Sequence, residues 1–266
     1  MVLTETSAET AFGALRYFRA REGRDRLFCV FIHGLGADKG WFEGHHRWHD
    51  LSFCDWIVPD LLGHGSSARP TEPAAYRMEA QAGVLVDLLR AERVRRVLLI
   101  AHSMGGPIAL RMAELLRDHA APAISGLVYA EGNIDENDAF MSGQVAEQSW
   151  EQFSAGGWDR LVQDLSGDPS LESYLRTLKA AGSRTVHASS LSLVPHSRRA
   201  ITVPLIESLP APKLFLFGER NRGRFTSEAT ARGLGEVRYV PGAGHAMHLD
   251  NPAGFWELTR GFCGSL

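Results

Sequence analysis

Short apolar runs alternate along this chain with longer segments whose apolar residues recur every three or four positions. The runs are LFCVFI (27–32), CDWIVPD (54–60), RRVLLIA (95–101), GLVYAE (126–131), KLFLFG (213–218) and VRYVPG (237–242). Each is too short for a core helix and rich in β-branched or aromatic residues, so each predicts a buried strand. ALRYFRA (14–20) is expected to pair with 27–32 as an antiparallel edge. Between the runs, 76–94 carries the apolar stripe of a helix lying on a sheet. Residues 104–119 predict a second helix, with Pro107 early enough to sit in its first turn. TSEATARGL and NPAGFWELTRGFC predict two more, the last opened by Asn and Pro. Strand–helix alternation of this kind specifies an α/β fold with a mostly parallel sheet covered on both faces.

The alternation breaks between about 132 and 211. DAFMSGQVAEQSWEQF, GWDRLVQDLSG and SLESYLRTLKAAG are all helix-like, and no strand stands out among them. An insertion of this length between two sheet strands is better read as a helical cap than as a loop. The expected organisation is a core of residues 1–131 and 212–266 with a cap of residues 132–211. At 266 residues, 44 % hydrophobic and 22 % charged, the chain reads as one soluble globular unit. A formal charge of −3 gives no electrostatic reason to expect nucleic acid or an anionic membrane as partner. Cys29, Cys54 and Cys263 are odd in number and lack CxxC spacing, and two lie in apolar runs, which points to buried thiols. The N-terminal stretch has no apolar signal core, so a cytoplasmic location is the default expectation.

In an open α/β sheet, reactive groups collect beyond the carboxyl ends of the strands. Those ends read HGLG, DLLGHGSS, AHSMGG, AEGN, GERN and GAGH, giving a nucleophile, a carboxylate and a histidine in that chain order. AHSMGG (101–106) lies directly between a strand and a helix. A serine on so tight a turn needs small neighbours, and the following helix points its amide dipoles at the hydroxyl, so Ser103 is the candidate nucleophile. A glycine turn after the first long strand frees the Leu35 amide to face the pocket. With the Met104 amide it would form an oxyanion hole. In GAGHAMHLDNP, His245 follows the last strand on a glycine-rich loop and is the candidate base; His248 reads as a packed neighbour. His45 and His49 in GHHRWHD have the i, i+4 spacing of a zinc pair but no evident third ligand, so no metal or cofactor is expected. Asp60 and His64 read as structural support and pocket wall.

HGLG, PDLLGHGSS, AHSMGG and GAGHAMHLDNP together resemble the landmarks of the α/β-hydrolase superfamily, in order and across nearly the whole core. In much of that superfamily the triad acid is an aspartate after the strand here read as KLFLFG. This chain has GERN there, with Asn221 in the aspartate's place. The resemblance to a subset that includes the haloalkane dehalogenases implies instead that Glu131, one strand earlier, supports the histidine. Glu219, Asp135 and Asp138 remain competitors. Dehalogenation itself is excluded, because Ser103 replaces the aspartate nucleophile and Leu35 and Met104 replace the halide clamp. The resemblance implies a serine hydrolase that cleaves an ester, lactone or thioester of a small apolar acyl substrate through an acyl-enzyme. C–C bond hydrolysis or lyase chemistry on the same triad, and a non-catalytic small-ligand receptor, are the alternatives.

Overall fold

A computed structural model describes residues 2–23, 26–42, 52, 54–119 and 121–266. Eight strands form one sheet: β1 (Thr4–Thr10), β2 (Gly13–Ala20), β3 (Phe28–Ile32), β4 (Asp55–Pro59), β5 (Arg96–His102), β6 (Ala123–Ala130), β7 (Lys213–Gly218) and β8 (Glu236–Val240). Their spatial order is β1-β2-β4-β3-β5-β6-β7-β8. From β4 through β8 every neighbouring pair is parallel. The α/β class and all six expected strands are therefore present.

The edge differs from expectation. ALRYFRA, within β2, pairs antiparallel with β4 (Tyr17↔Pro59 to Ala20↔Trp56), not with β3. Both sides of β3 are already filled, by β4 and β5 in parallel register, so no edge is free for β2. The true edge is β1, TETSAET, which pairs along its whole length with β2. Its side chains are exposed or half-buried, so it carries no apolar signature and rests on ladder hydrogen bonds.

Strands β3 and β4 are buried at every position, which is why they read as continuous apolar runs. Alternate residues still face different layers. Phe28, Val30, Ile32, Leu99 and Ala101 join the helices Met78–Ala91 and Gly105–Leu116 in one core. Cys29, Phe31, Leu98 and Ile100 join Phe255, Trp256 and Phe262 of the helix Pro252–Cys263 in the other. That last helix starts as the sequence implies: Pro252 opens it and the Asn251 side chain accepts the Gly254 N–H at 2.9 Å. Cys29 and Cys54 are buried free thiols, and burial raises the pKa of both.

Between β6 and β7 the chain is helical: Phe140–Ala146, Trp150–Gln152 running into a π-turn, Trp158–Ser166, Glu172–His196 and Arg199–Ser208. The helix-like SLESYLRTLKAAG bends at its last residue, Gly182 with φ 83°, and the same element continues to His196. The segment rests on the loops at the carboxyl ends of the strands. Met78 N–H donates to Ser192 Oγ at 3.0 Å, Arg69 to the Ala180 carbonyl at 3.0 Å, and Thr185 Oγ1 to the Gly63 carbonyl at 3.3 Å. Among the described residues no helix is long and apolar enough to cross a membrane.

Candidate active site

Ser103 follows β5 directly, with φ 52°. Non-glycine residues seldom adopt that region, and a nucleophile elbow is one place where packing holds one there. Here the packing is explicit. A Cβ on Gly105 would lie 2.2 Å from the Ile32 carbonyl oxygen, and one on Gly106 would lie 2.5 Å from the Tyr129 ring. The two glycines of AHSMGG are what let the helix start against β3 and β6. Ala101, at the position where the motif often has glycine, is fully buried within β5. Ser103 N–H donates to the Ala130 carbonyl at 3.1 Å, tying the elbow to the end of β6. The Ser103 side chain is half-buried, and its hydroxyl bonds to no described residue.

The HGLG loop passes against the elbow. A Cβ on Gly34 would sit 3.0 Å from Ser103 Cβ. The loop is held by two buried histidines. His33 Nε2 accepts the Leu61 N–H at 3.0 Å, and His64 Nε2 accepts the Gly36 N–H at 3.2 Å. Those bonds make Nδ1 the donor in each, to the Gly34 and Leu62 carbonyls. Burial lowers the pKa of both, His64 to about 3, so both stay neutral. Asp60 anchors the same region through a buried ion pair with Lys39 at 2.6 Å. The N–H groups of Leu35, next after Gly34, and of Met104, next after Ser103, reach no acceptor among the described residues.

Glu131 follows β6, also at positive φ (39°), and its side chain is 2 % exposed. Its Oε1 accepts the Gly218 N–H at 2.7 Å, its Oε2 accepts His245 Nδ1 at 2.8 Å, and Asn221 Nδ2 lies 3.0 Å from both oxygens. Of the competing acids, none reaches His245. Glu219 accepts the Gly242 N–H, Asp135 caps a turn and accepts from Thr226, and Asp138 accepts from Ile134, Asp135 and Ser227.

The loop carrying His245 crosses the end of β7 so closely that a Cβ on Gly218 would meet the Gly244 carbonyl at 2.2 Å. Asp250 pins the loop by accepting the Gly244 N–H at 2.7 Å while pairing with Arg220. His102, the neighbour of Ser103, bonds through Nε2 to the His245 carbonyl at 2.9 Å, and the two rings lie 4.7 Å apart. Burial pushes His102 down to about 3, so it packs there uncharged. His248 is buried among the rings of Phe42, Trp41, His102 and Phe255, apart from the Glu131 carboxylate. In a neutral ring whose Nδ1 donates to Glu131, Nε2 is the acceptor nitrogen.

Thus Ser103, Glu131 and His245 each follow a strand at the carboxyl edge of the sheet; the structure joins Glu131 and His245 by a hydrogen bond, and Ser103 Oγ makes none to His245. The clamps by His102, Asn221 and Asp250 were not foreseen. Of these only Asn221 carried a signal, standing where the superfamily pattern expects an acid. His45 and His49 lie outside the described residues.

Strand order, the serine turn after β5 and the histidine loop after β8 together define an α/β-hydrolase fold. The model of the alpha/beta hydrolase family matches residues 29–258, and the chain belongs to that family. An uncharacterised protein of Mycobacterium tuberculosis is 36 % identical over 104 residues, a match covering 36 % of this chain and only 30 % of that protein. The chain thus spans about a third of that relative's length. A 2-succinyl-6-hydroxy-2,4-cyclohexadiene-1-carboxylate synthase of Escherichia fergusonii is 25 % identical over 251 residues, covering 89 % of this chain and 94 % of the synthase. A solved structure of the N-acyl homoserine lactonase AidH superposes with a TM-score of 0.76 at 18 % identity, covering 98 % of this chain and 96 % of the lactonase, a likeness of fold.

Proposed function

We propose that this protein is a serine hydrolase that cleaves a carboxylic ester or related acyl bond through a Ser103–His245–Glu131 triad. The observation that carries the reading is the 2.8 Å contact of His245 Nδ1 with a buried Glu131 carboxylate, at the rim where Ser103 is presented on a positive-φ turn. His245 Nε2 takes the Ser103 proton as Oγ adds to the carbonyl carbon. The Leu35 and Met104 amides receive the oxyanion. The imidazolium returns its proton to the leaving oxygen, and an acyl-enzyme remains. Water then gives a proton to the same nitrogen as it attacks the acyl carbon, and the imidazolium passes that proton to Ser103 Oγ as the acyl–oxygen bond breaks, releasing the acid and restoring the free serine. Glu131 orients the imidazole and stabilises its charged form. No step calls for a metal or cofactor.

Residues 132–211 act in this reading as a cap on a core of 1–131 and 212–266, and they select a small, mainly apolar acyl substrate. Phe140 supports this: its ring is 56 % exposed and stands edge-on to His245 at 5.9 Å. A panel of p-nitrophenyl esters, lactones and thioesters, with Ser103→Ala as control and a fluorophosphonate probe for labelling, tests the proposal. Turnover and labelling are expected for the native chain and neither for the variant. Ligand binding without labelling would favour a receptor.

A second reading, C–C bond hydrolysis or lyase chemistry on the same three residues, draws on the synthase likeness over 89 % of the chain. β-Diketone and dienone substrates in the same panel separate it, since fold membership alone does not choose the chemistry.

A further inference from the structure

Asn221 lies in the turn just after β7, the neighbour of β6 in the sheet, and faces the carboxylate that follows β6. It closes the short turn Glu219–Asn221, which is anchored by Arg220 N–H on the Ala243 carbonyl at 2.9 Å and by Arg222 N–H on the Glu219 carbonyl at 3.1 Å. The amide nitrogen therefore comes from a fixed backbone. It lies 3.0 Å from each oxygen of Glu131, straddling the carboxylate. The three donors divide the work. Gly218 N–H holds Oε1, His245 Nδ1–H holds Oε2, and the Asn221 amide spans the two.

Without the amide, Glu131 keeps one backbone donor on Oε1. The terminal torsion of a glutamate is broad, so that donor alone does not fix which way Oε2 points. An aspartate at 221 would be worse, because two carboxylates about 3 Å apart resist joint ionisation. A chain that carries its acid after β6 thus needs a neutral donor after β7, and asparagine is the aspartate-shaped residue that supplies one.

We infer that Asn221 is a positioning residue that locks the Glu131 carboxylate in the plane that meets His245 Nδ1. The inference rests on Glu131 being the triad acid, as proposed above. Because Asn221 acts through Glu131 on an imidazolium that forms only during reaction, its loss falls on kcat and leaves KM unchanged.

The test is a double-mutant cycle with p-nitrophenyl butyrate as substrate. Asn221→Leu keeps the heavy-atom count and branching and removes the donor; Asn221→Ala replaces it should the leucine variant lose its cooperative thermal transition. In the native background kcat is expected to fall about 30-fold, the scale of one lost hydrogen bond to a charged group, at unchanged KM. In the Glu131→Gln background the same substitution is expected to change kcat less than about twofold. Wild-type kcat in the single variant, or an equal loss in both backgrounds, overturns the inference and leaves Glu131 in place. Wild-type kcat in Glu131→Gln by itself overturns the acid assignment, and Asn221 falls with it.

Discussion

The carboxyl edge of the sheet and the helical segment resting on it obey different rules. At the edge, backbone meets backbone: Gly105 under the Ile32 carbonyl, Gly218 under the Gly244 carbonyl, Ser103 and Glu131 both at positive φ. A shift of half an ångström there has nowhere to go. The helices touch the edge through side chains and single hydrogen bonds, such as Ser192 to Met78 and Thr185 to Gly63. Gly143, Gly156 and Gly182 have open space where a Cβ would project. One region is over-determined and suits a reaction that needs one geometry. The other has slack, which suits a surface that chooses among substrates.

The comparison breaks if the edge proves dispensable. Ser103→Ala is expected to lower kcat/KM for a p-nitrophenyl ester by at least about 10⁴-fold, with folding intact by circular dichroism. Residual turnover above that level would move the nucleophile elsewhere. Glu131→Gln preserves shape but leaves the imidazolium without a countercharge; steady-state kinetics should show a loss of about 10³- to 10⁴-fold. Asn221 variants should fall well short of that figure.

The edge also makes a pH signature. His33, His64 and His102 are buried and neutral, with pKa values pushed below the ordinary 6.5 by burial. A depressed histidine contributes stability that is present above pH 6.5 and lost as the pH falls, because the unfolded chain binds the proton first. Asp138 opposes this: burial raises it to about 6, so its share grows as the pH drops through 6. Three histidines outweigh one aspartate. Urea unfolding should give a free energy lower by about 2 kcal/mol at pH 5.5 than at pH 7.5, the share of His64 and His102 less that of Asp138, and a flat profile would mean that these rings are not buried neutral.

Glycine substitutions set the two regions side by side. Gly105→Ala must displace the Ile32 carbonyl and is expected to destabilise by about 2 to 3 kcal/mol. Gly143→Ala lies within the helix Phe140–Ala146 with open space at its Cβ, so a gain of about 0.5 to 1 kcal/mol is expected from helix propensity. Opposite signs in thermal melts sharpen the contrast; two losses would erase it.

Legibility followed the same divide. The central strands announced themselves because burial on both faces demands unbroken apolar runs, and Ser103 and His245 because their turns demand glycine. The proposed acid leaves a fainter trace: Glu131 stands out only through the family resemblance and the asparagine at 221. β1 was silent, since an exposed edge held by backbone bonds leaves no apolar trace in TETSAET. So were the His102 and Asp250 clamps, whose partners lie 143 and 6 residues away and bond to backbone atoms that any residue supplies. The helix beyond Gly182 carries no such mark in the sequence, and the structure ties it down through the hydrogen bonds of Thr185 to Gly63 and of Met78 to Ser192.

The slack region should matter only for choice. Five of its apolar residues look alike in sequence, but the fold sorts them. Phe153 is fully buried and stacks on His187, Trp158 packs on Phe153, and Trp150 lies under Arg184. Met141 meets the Tyr174 hydroxyl at 3.3 Å. Phe140 alone of the five is both exposed and ring-to-ring with His245. Phe140→Ala removes apolar contact area worth about 1 kcal/mol from a bound acyl chain without opening a cavity in the core. The expected result is a three- to tenfold rise in KM for butyrate and longer p-nitrophenyl esters, with little change for acetate and none in melting temperature. An equal fall in kcat for every chain length would instead make Phe140 part of the edge, and the division between reacting rim and selecting helices would fail at that residue.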